Sequence, residues 1–333
     1  MNYRYILLLV LFSLTACGER QSTPVTDSVA LTIAPSSQSA TPISGPIQPL
    51  VLPADLNADK VALGRILFHD TRLSGDGTIS CASCHAIANY GAENRQVSVG
   101  IGGKIGPINA PTVLNSCFNL RQFWDGRAAD LTEQAGGPIE NPSEMGAKLP
   151  EVIAKLRKDG PLNELARRAY GRSIDEKILR DAIAEYERGL VTVDSPFDQF
   201  LRGNTHAISN EAKEGWRLFR ELGCVSCHQG VNVGGNLFAT FGVMGDYFAN
   251  RPLEKVDYGR FNVTGREEDK FRFKVPSLRN VDKTAPYFHD GRIASLEEAV
   301  EIMARTQLGL IISTKDRDAV VVFLKSLTGK LPE

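Results

Sequence analysis

Apolar residues recur at helical spacing through most of the chain beyond residue 51, and the stripes they form predict a protein built of helices. Leu63, Ile66 and Leu67 make one stripe. Ala212, Gly215, Trp216 and Phe219 make another, with Ser209 placed to cap it and Gly223 to stop it. Between the two, Pro150 opens a helix that Gly160 ends. Ser173-Ile174-Asp175-Glu176 reads as a capping box ahead of a helix that carries Leu179, Ile183 and Tyr186 and closes at Gly189. Towards the C-terminus, Leu296, Ala299, Val300 and Met303 share one face, and Ser313 starts a last helix bearing Val320, Phe323 and Leu324. No sustained alternation of apolar and polar residues argues for a large sheet. The fold class is therefore mainly α, interrupted by Gly-rich loops at 86–110 and 229–270 whose length suits loops that cover a ligand.

The chain also repeats itself. Pro111-Thr112-Val113-Leu114-Asn115 followed by Phe123-Trp124-Asp125-Gly126-Arg127 matches Pro276-Ser277-Leu278-Arg279-Asn280 followed by Phe288-His289-Asp290-Gly291-Arg292, with identical internal spacing. Leu131 and Glu133 continue the match at Leu296 and Glu298. Two domains of common plan follow, 51–195 and 196–333, with the break near Ser195-Pro196. Ahead of them, Arg4 and the apolar run Tyr5 to Leu14 read as a signal peptide, residues 1–16. Leu14-Thr15-Ala16-Cys17 resembles a lipoprotein cleavage site that leaves Cys17 acylated, and the Ser/Thr/Pro-rich remainder of 17–50 reads as a disordered tether. A formal net charge of -1 gives no electrostatic basis for binding nucleic acid.

Of the six cysteines, four fall in one pattern used twice: Cys81-Ala82-Ser83-Cys84-His85 and Cys224-Val225-Ser226-Cys227-His228. This is the c-type haem attachment motif. Two thiols three positions apart can each form a thioether to one porphyrin edge, and the next residue reaches the iron as an axial imidazole. A dithiol redox pair or half of a zinc site requires no adjacent His, and neither explains two complete copies. The repeat thus carries two covalently bound haem c groups, on His85 and on His228. Cys117 remains as a lone thiol, expected to pack as a small hydrophobe. A protein ligand on the far side of a haem makes an electron carrier; an open side makes a catalyst.

These residues resemble the bacterial di-haem cytochrome c peroxidase family over nearly everything from Val51 to Pro332. The resemblance rests on Asn109 to Asn115, Gln122 to Arg127, Glu144-Met145, Leu278 to Asn280, Thr284 to His289, Met303 and Gln307-Leu308-Gly309. It implies two cytochrome-c-like domains, usually in a homodimer. The C-terminal haem, held by His228 and Met303, would accept electrons from a small c-type cytochrome or cupredoxin. The N-terminal haem, held by His85, would reduce hydrogen peroxide. Trp124 would lie between the haems, and Gln134 and Glu144 would line the distal pocket. A calcium ion would sit between the domains on the Asn109 side chain and the backbone oxygens of Thr284 and Pro286. The related methylamine-dehydrogenase maturases carry Tyr where Met303 stands. The mature protein would be periplasmic and lipid-anchored to the membrane. One departure stands out: the family usually has a histidine closing the peroxidatic iron, and its gapless equivalent here is Ile101. Met145 and Lys104 are the alternative ligands. Of the other histidines, His69 and His206 read as surface residues, and His289 as a residue that positions a haem or its propionates.

Overall fold

A computed structural model of the chain describes residues 45–332; the expected signal segment, Cys17 and the tether as far as residue 44 lie outside the described residues. The fold is mainly helical, as expected. Among the described residues the one sheet is a two-stranded antiparallel pair, Phe238–Thr240 with Arg272–Lys274.

Each half is organised by two helices that cross at a glycine. In the first half, Asn57 caps the helix Ala58–Phe68 by accepting from the Lys60 N–H. This helix turns Leu63, Gly64, Leu67 and Phe68 inward, against the helix Glu176–Arg188. Ile66, expected on the buried stripe, is 48% exposed, and Gly64 takes the contact position instead. A Cβ on Gly64 would land on the Ala182 carbonyl, so only glycine lets the backbones approach this closely. The second half repeats the device. Ser209 caps Asn210–Glu221 as expected, and Gly215 meets the Ala319 carbonyl of the helix Thr314–Lys325, which Ser313 caps. Around the first crossing pack Leu63, Leu67, Leu179 and Ile183; around the second, Phe197, Trp216, Phe219 and Phe323, with the Phe197 and Phe323 rings 4.9 Å apart edge to face.

The remaining helices show where local signals mislead. Gly160, expected to end a helix, begins one: the Leu149–Leu156 helix stops, and the Asp159 carboxylate then caps Gly160–Tyr170 by accepting from the Leu162 N–H. Asp175, rather than Ser173, caps Glu176–Arg188. Pro46 to Leu50, expected in the tether, packs instead on the second half. Ile47 and Leu50 are buried there, and the Arg279 guanidinium donates to the Gln48 carbonyl at 2.9 Å. Arg279 also pairs with buried Asp198 at 2.8 Å.

The sequence repeat recurs in the backbone. Asn115 and Asn280 both adopt left-handed conformations (φ 62° and 60°), as do Phe123 and Phe288 (68° and 67°). The turns that follow close through equivalent antiparallel bridges, Gln122 to Ala128 and Tyr287 to Ile293. The side-chain amides of Asn115 and Asn280 both donate to the Thr192 hydroxyl at 2.9 Å, so one residue joins the two copies.

Because the obstacle at each crossing is a backbone carbonyl, rotamer changes cannot relieve it. Gly64→Ala and Gly215→Ala should each destabilise the protein by about 1–3 kcal/mol or more, measured by chemical denaturation. Gly160→Ala, where a Cβ meets nothing within 4 Å, serves as the control and should be neutral or slightly stabilising.

Candidate active site

Each attachment motif forms a short helical turn in the wall of a cavity, about 160 Å³ in the first half and about 260 Å³ in the second. Cys81–Cys84 is one helical turn, fixed at its start by the Ser80 N–H donating to Ser83 Oγ. The His85 ring places Nδ1 3.1 Å from the Gly91 carbonyl, and the His228 ring places Nδ1 3.4 Å from that of Val233. Carbonyls only accept, so Nδ1 carries the proton and Nε2 keeps its lone pair for a metal. Burial reinforces this: it lowers the His85 pKa and brings that of His228 down to about 4, keeping both imidazoles neutral. Two thiols and a neutral imidazole on the wall of each apolar cavity are the donor set that a c-type haem needs, so the residues fit the group.

The first cavity collects the expected distal residues. Gln134 comes from the helix Leu131–Glu140, and Ser143, Glu144 and Met145 come from the turn that follows it. The Asn141 amide donates to Glu144 Oε1 at 2.6 Å. Burial raises the Glu144 pKa, against the opposing pull of Arg127 and of the Asn141 bond. Of the five histidines, only His85 lines this cavity. Ile101 does not line it; its side chain packs over Gly146, while Val99 and Gly100 form that stretch of wall. Lys104 is turned outward, with Nζ donating to the Pro142 carbonyl at 2.9 Å. Met145 is buried on the wall.

The second cavity has His228 and Met303 in its lining, with Leu296, Ala299 and Val300 from the same helix as Met303. Trp124 and Asn109 line both cavities, and the Trp124 indole N–H donates to the Asn109 carbonyl at 3.0 Å. Thr284 and Pro286 line the second cavity with Asn109. The Asn109 amide donates to the carbonyls of Arg95 and Gln96, and its oxygen accepts no hydrogen bond among the described residues.

His289 lies on the second cavity's wall, stacked on Phe273 at 4.5 Å and bonded through Nε2 to Asp257 at 2.8 Å. Asp257, His289 and Asp290 are close enough to share a cation, but the Arg251 guanidinium already spans both carboxylates at 2.6 and 3.1 Å. His69 and His206 are exposed, and neither lines a cavity. Two wall residues escape motif reading altogether: Glu187 in the first cavity and Lys274 in the second. A signal existed for each. Glu187 continues the apolar stripe of Leu179 and Ile183 at helical spacing, and Lys274 stands two positions before Pro276 as Asn109 stands before Pro111.

Two crossed-helix halves, each carrying an attachment turn beneath its own apolar cavity, define a protein with two c-type haem sites. Residues 58–206 match the family described as di-haem cytochrome c peroxidase. The chain is 49% identical over 285 residues to the cytochrome c peroxidase Ccp of Escherichia coli (strain K12), covering 85% of this chain and 61% of that protein. It is 46% identical over 292 residues to the cytochrome c551 peroxidase of Nitrosomonas europaea, covering 86% of this chain and 85% of the relative. A MauG-like protein associated with microbial copper homeostasis, known from its crystal structure, has a TM-score of 0.73 at 29% identity, covering 86% of this chain and 95% of that one. The chain belongs to the di-haem cytochrome c peroxidase family.

Proposed function

We propose that this chain reduces hydrogen peroxide to water, H2O2 + 2 e− + 2 H+ → 2 H2O, at the first cavity. The observation that carries the reading is that cavity's wall: the half-buried carboxylate of Glu144 and the amide of Gln134, with no histidine besides His85. A bound haem would supply at each site an iron that changes charge by one electron, with a coordination position for peroxide at the first. The chain's residues do the rest. His85 would hold the haem, with its tautomer set by the Gly91 carbonyl. Glu144 takes the proton from one peroxide oxygen and returns it to the other, so that water leaves rather than hydroxide. Its Oε1 is occupied by Asn141, which leaves Oε2 for the substrate. Gln134 offers an amide to orient the peroxide.

At the second cavity, His228 and Met303 would hold the haem, an imidazole and thioether pair that would raise its potential and suit electron entry from a small c-type cytochrome or cupredoxin. Trp124, shared by both walls and held at its ring nitrogen, is the side chain linking entry to use. The free amide oxygen of Asn109 and the backbone oxygens of Thr284 and Pro286 are hard donors that suit calcium. The N-terminal pattern supports a periplasmic protein anchored through acylated Cys17, and the family resemblance supports a homodimer.

Glu144→Gln should keep both haems and lower peroxide turnover by about 10²–10⁴. Glu144 acts as its carboxylate, and burial raises its pKa. The acid limb of the parental kcat/KM profile should therefore lie above the ordinary carboxylate range and vanish in the variant. Parental turnover in a fully haem-loaded variant rules this role out. Met303→Leu should abolish the weak long-wavelength band of a methionine-ligated ferric haem and lower the potential of the second site; an unchanged potential removes Met303 from the iron.

With Ile101 turned away and Lys104 outside, the first site is open to peroxide without prior reduction. Mixing the fully oxidised protein with stoichiometric peroxide should give a rapid spectral change at the first haem. A reaction that appears only after one-electron reduction excludes an open resting site and points to Met145 as the closing group.

A further inference from the structure

The internal repeat allows each cavity wall to be compared with the other, position by position. Helix Glu176–Arg188 meets Gly64 through Ala182 and Tyr186, and helix Thr314–Lys325 meets Gly215 through Ala319 and Phe323. Carried along both helices, this register pairs Ile183 with Val320 and Glu187 with Leu324, and all four line their own cavities. The Pro111 and Pro276 segments likewise pair Asn109 with Lys274. The walls are thus equivalent in backbone and opposite in charge: Glu187 stands in the first where the second has Leu324, and Lys274 stands in the second where the first has Asn109.

Both side chains are buried, Glu187 to 4% exposure and Lys274 to 7%. Neither has a hydrogen-bond or ion-pair partner among the described residues, and burial alone perturbs each. Arg279 makes the contrast. Like Glu187 it replaces an apolar residue of the other half, Leu114, but it is held by Asp198, Val231 and Gln48. A buried charge left without a protein partner is costly, and its field acts on whatever fills the cavity.

We propose that Glu187 and Lys274 separate the redox potentials of the two haem sites: the carboxylate favours the oxidised state in the first cavity, and the ammonium favours the reduced state in the second. This rests on the reading that each cavity holds a c-type haem. Either charge draws a single electron towards the second site and leaves the first oxidised, as peroxide requires. Through a low-dielectric wall, one charge is worth on the order of a tenfold change in the reduction equilibrium, about 59 mV for one electron.

The ionisation windows make the two effects separable. Burial pushes Glu187 up to about 8 and Lys274 down to about 8, so Lys274 carries its charge below that pH and Glu187 above it. The groups near Glu187 are the Cys81 and Cys117 sulfurs and Tyr186. Across the first cavity stand Arg127, Glu144 and His85. Lys274 shares its cavity wall with Tyr287, His228, His289 and the sulfurs of Cys224 and Cys227, and no carboxylate of the described residues lines that cavity.

The test is spectroelectrochemical titration of the haem-loaded full chain, with the two haems resolved, at about pH 6.5 and about pH 9.5, on either side of both shifted values. At the lower pH, Lys274→Met should lower the second potential by an amount equivalent to about tenfold, and Glu187→Gln should change neither site. At the higher pH, Glu187→Gln should raise the first potential by a similar amount, while Lys274→Met matches the parent. Lys274→Arg should hold the second potential high at both values, because a guanidinium stays charged. If a variant fails to assemble, Glu187→Leu and Lys274→Asn, the residues the repeat already accommodates, replace it. Potentials that match the parent at both pH values, or that move at the other haem, overturn the proposal. A parent without two c-type haems per chain, measured as pyridine haemochrome, instead defeats the reading beneath it.

Discussion

The contact between a glycine on one helix and a carbonyl on the next is the constraint from which the remaining architecture follows. Gly64 on Ala182 and Gly215 on Ala319 bring two pairs of helices closer than any side chain permits. That closeness fixes register. Once Ala182 and Tyr186 face the crossing, Ile183 and Glu187 turn towards the space above the attachment turn, and Val320 and Leu324 do the same in the other half. The cavity floor is therefore a by-product of how the helices cross, and the cysteine motif follows the first helix of each pair, after residues 69–80 in the first half and directly after Leu222-Gly223 in the second. A protein that must hold a large planar group in each half gains from building the walls out of backbone contacts, which yield less than rotamers do.

Duplication of this device supplies two similar pockets, and function requires them to differ. The differences fall where the backbone allows substitution without movement. Met303 faces the second cavity from a helix whose first-half counterpart presents Gln134 to the first. Glu187 and Lys274 alter charge at positions that the other copy fills with Leu324 and Asn109. Thr192 bonds to Asn115 and Asn280 alike, and Trp124 and Asn109 belong to both walls. The halves thus share a scaffold at the seam and diverge at the walls.

Much of this was legible in the chain itself, because the strongest signals were of the kinds that survive tertiary context. The two attachment motifs, the Pro-Asn and aromatic-Asp-Gly-Arg repeat, and the caps at Ser209 and Ser313 all act through local geometry and stand where they were expected. The misreadings came from residues with two possible roles. Gly160 can stop a helix or occupy the first position of the next, and the carboxylate of Asp159 decides for the second. Ile66 fits the apolar period, but the crossing chose Gly64, a contact that hydrophobicity cannot reveal. Pro46 to Leu50 looks like tether by composition, and distant residues, Asp198, Arg202, Gly230 and Arg279, give it a place.

The Gly-rich loop shows the limit of alignment most clearly. Gapless counting from His85 reaches Ile101 and establishes that a group without a lone pair stands there; it says nothing of where that group points. In the structure the Ile101 N–H donates to the Glu144 carbonyl and its side chain covers Gly146, so the loop is fastened to the same turn that presents Glu144 and Met145 to the cavity. The far wall of the first cavity is therefore built by the loop and the turn together rather than by one residue. On this backbone the Ile101 side chain lies over Gly146 and outside the cavity lining. A movement of the loop that freed the Ile101 N–H would release the Glu144 carbonyl and disturb the turn that presents Glu144 to the cavity. The loop and the Glu144 turn are thus coupled through the backbone of two residues, so that displacing one displaces the other.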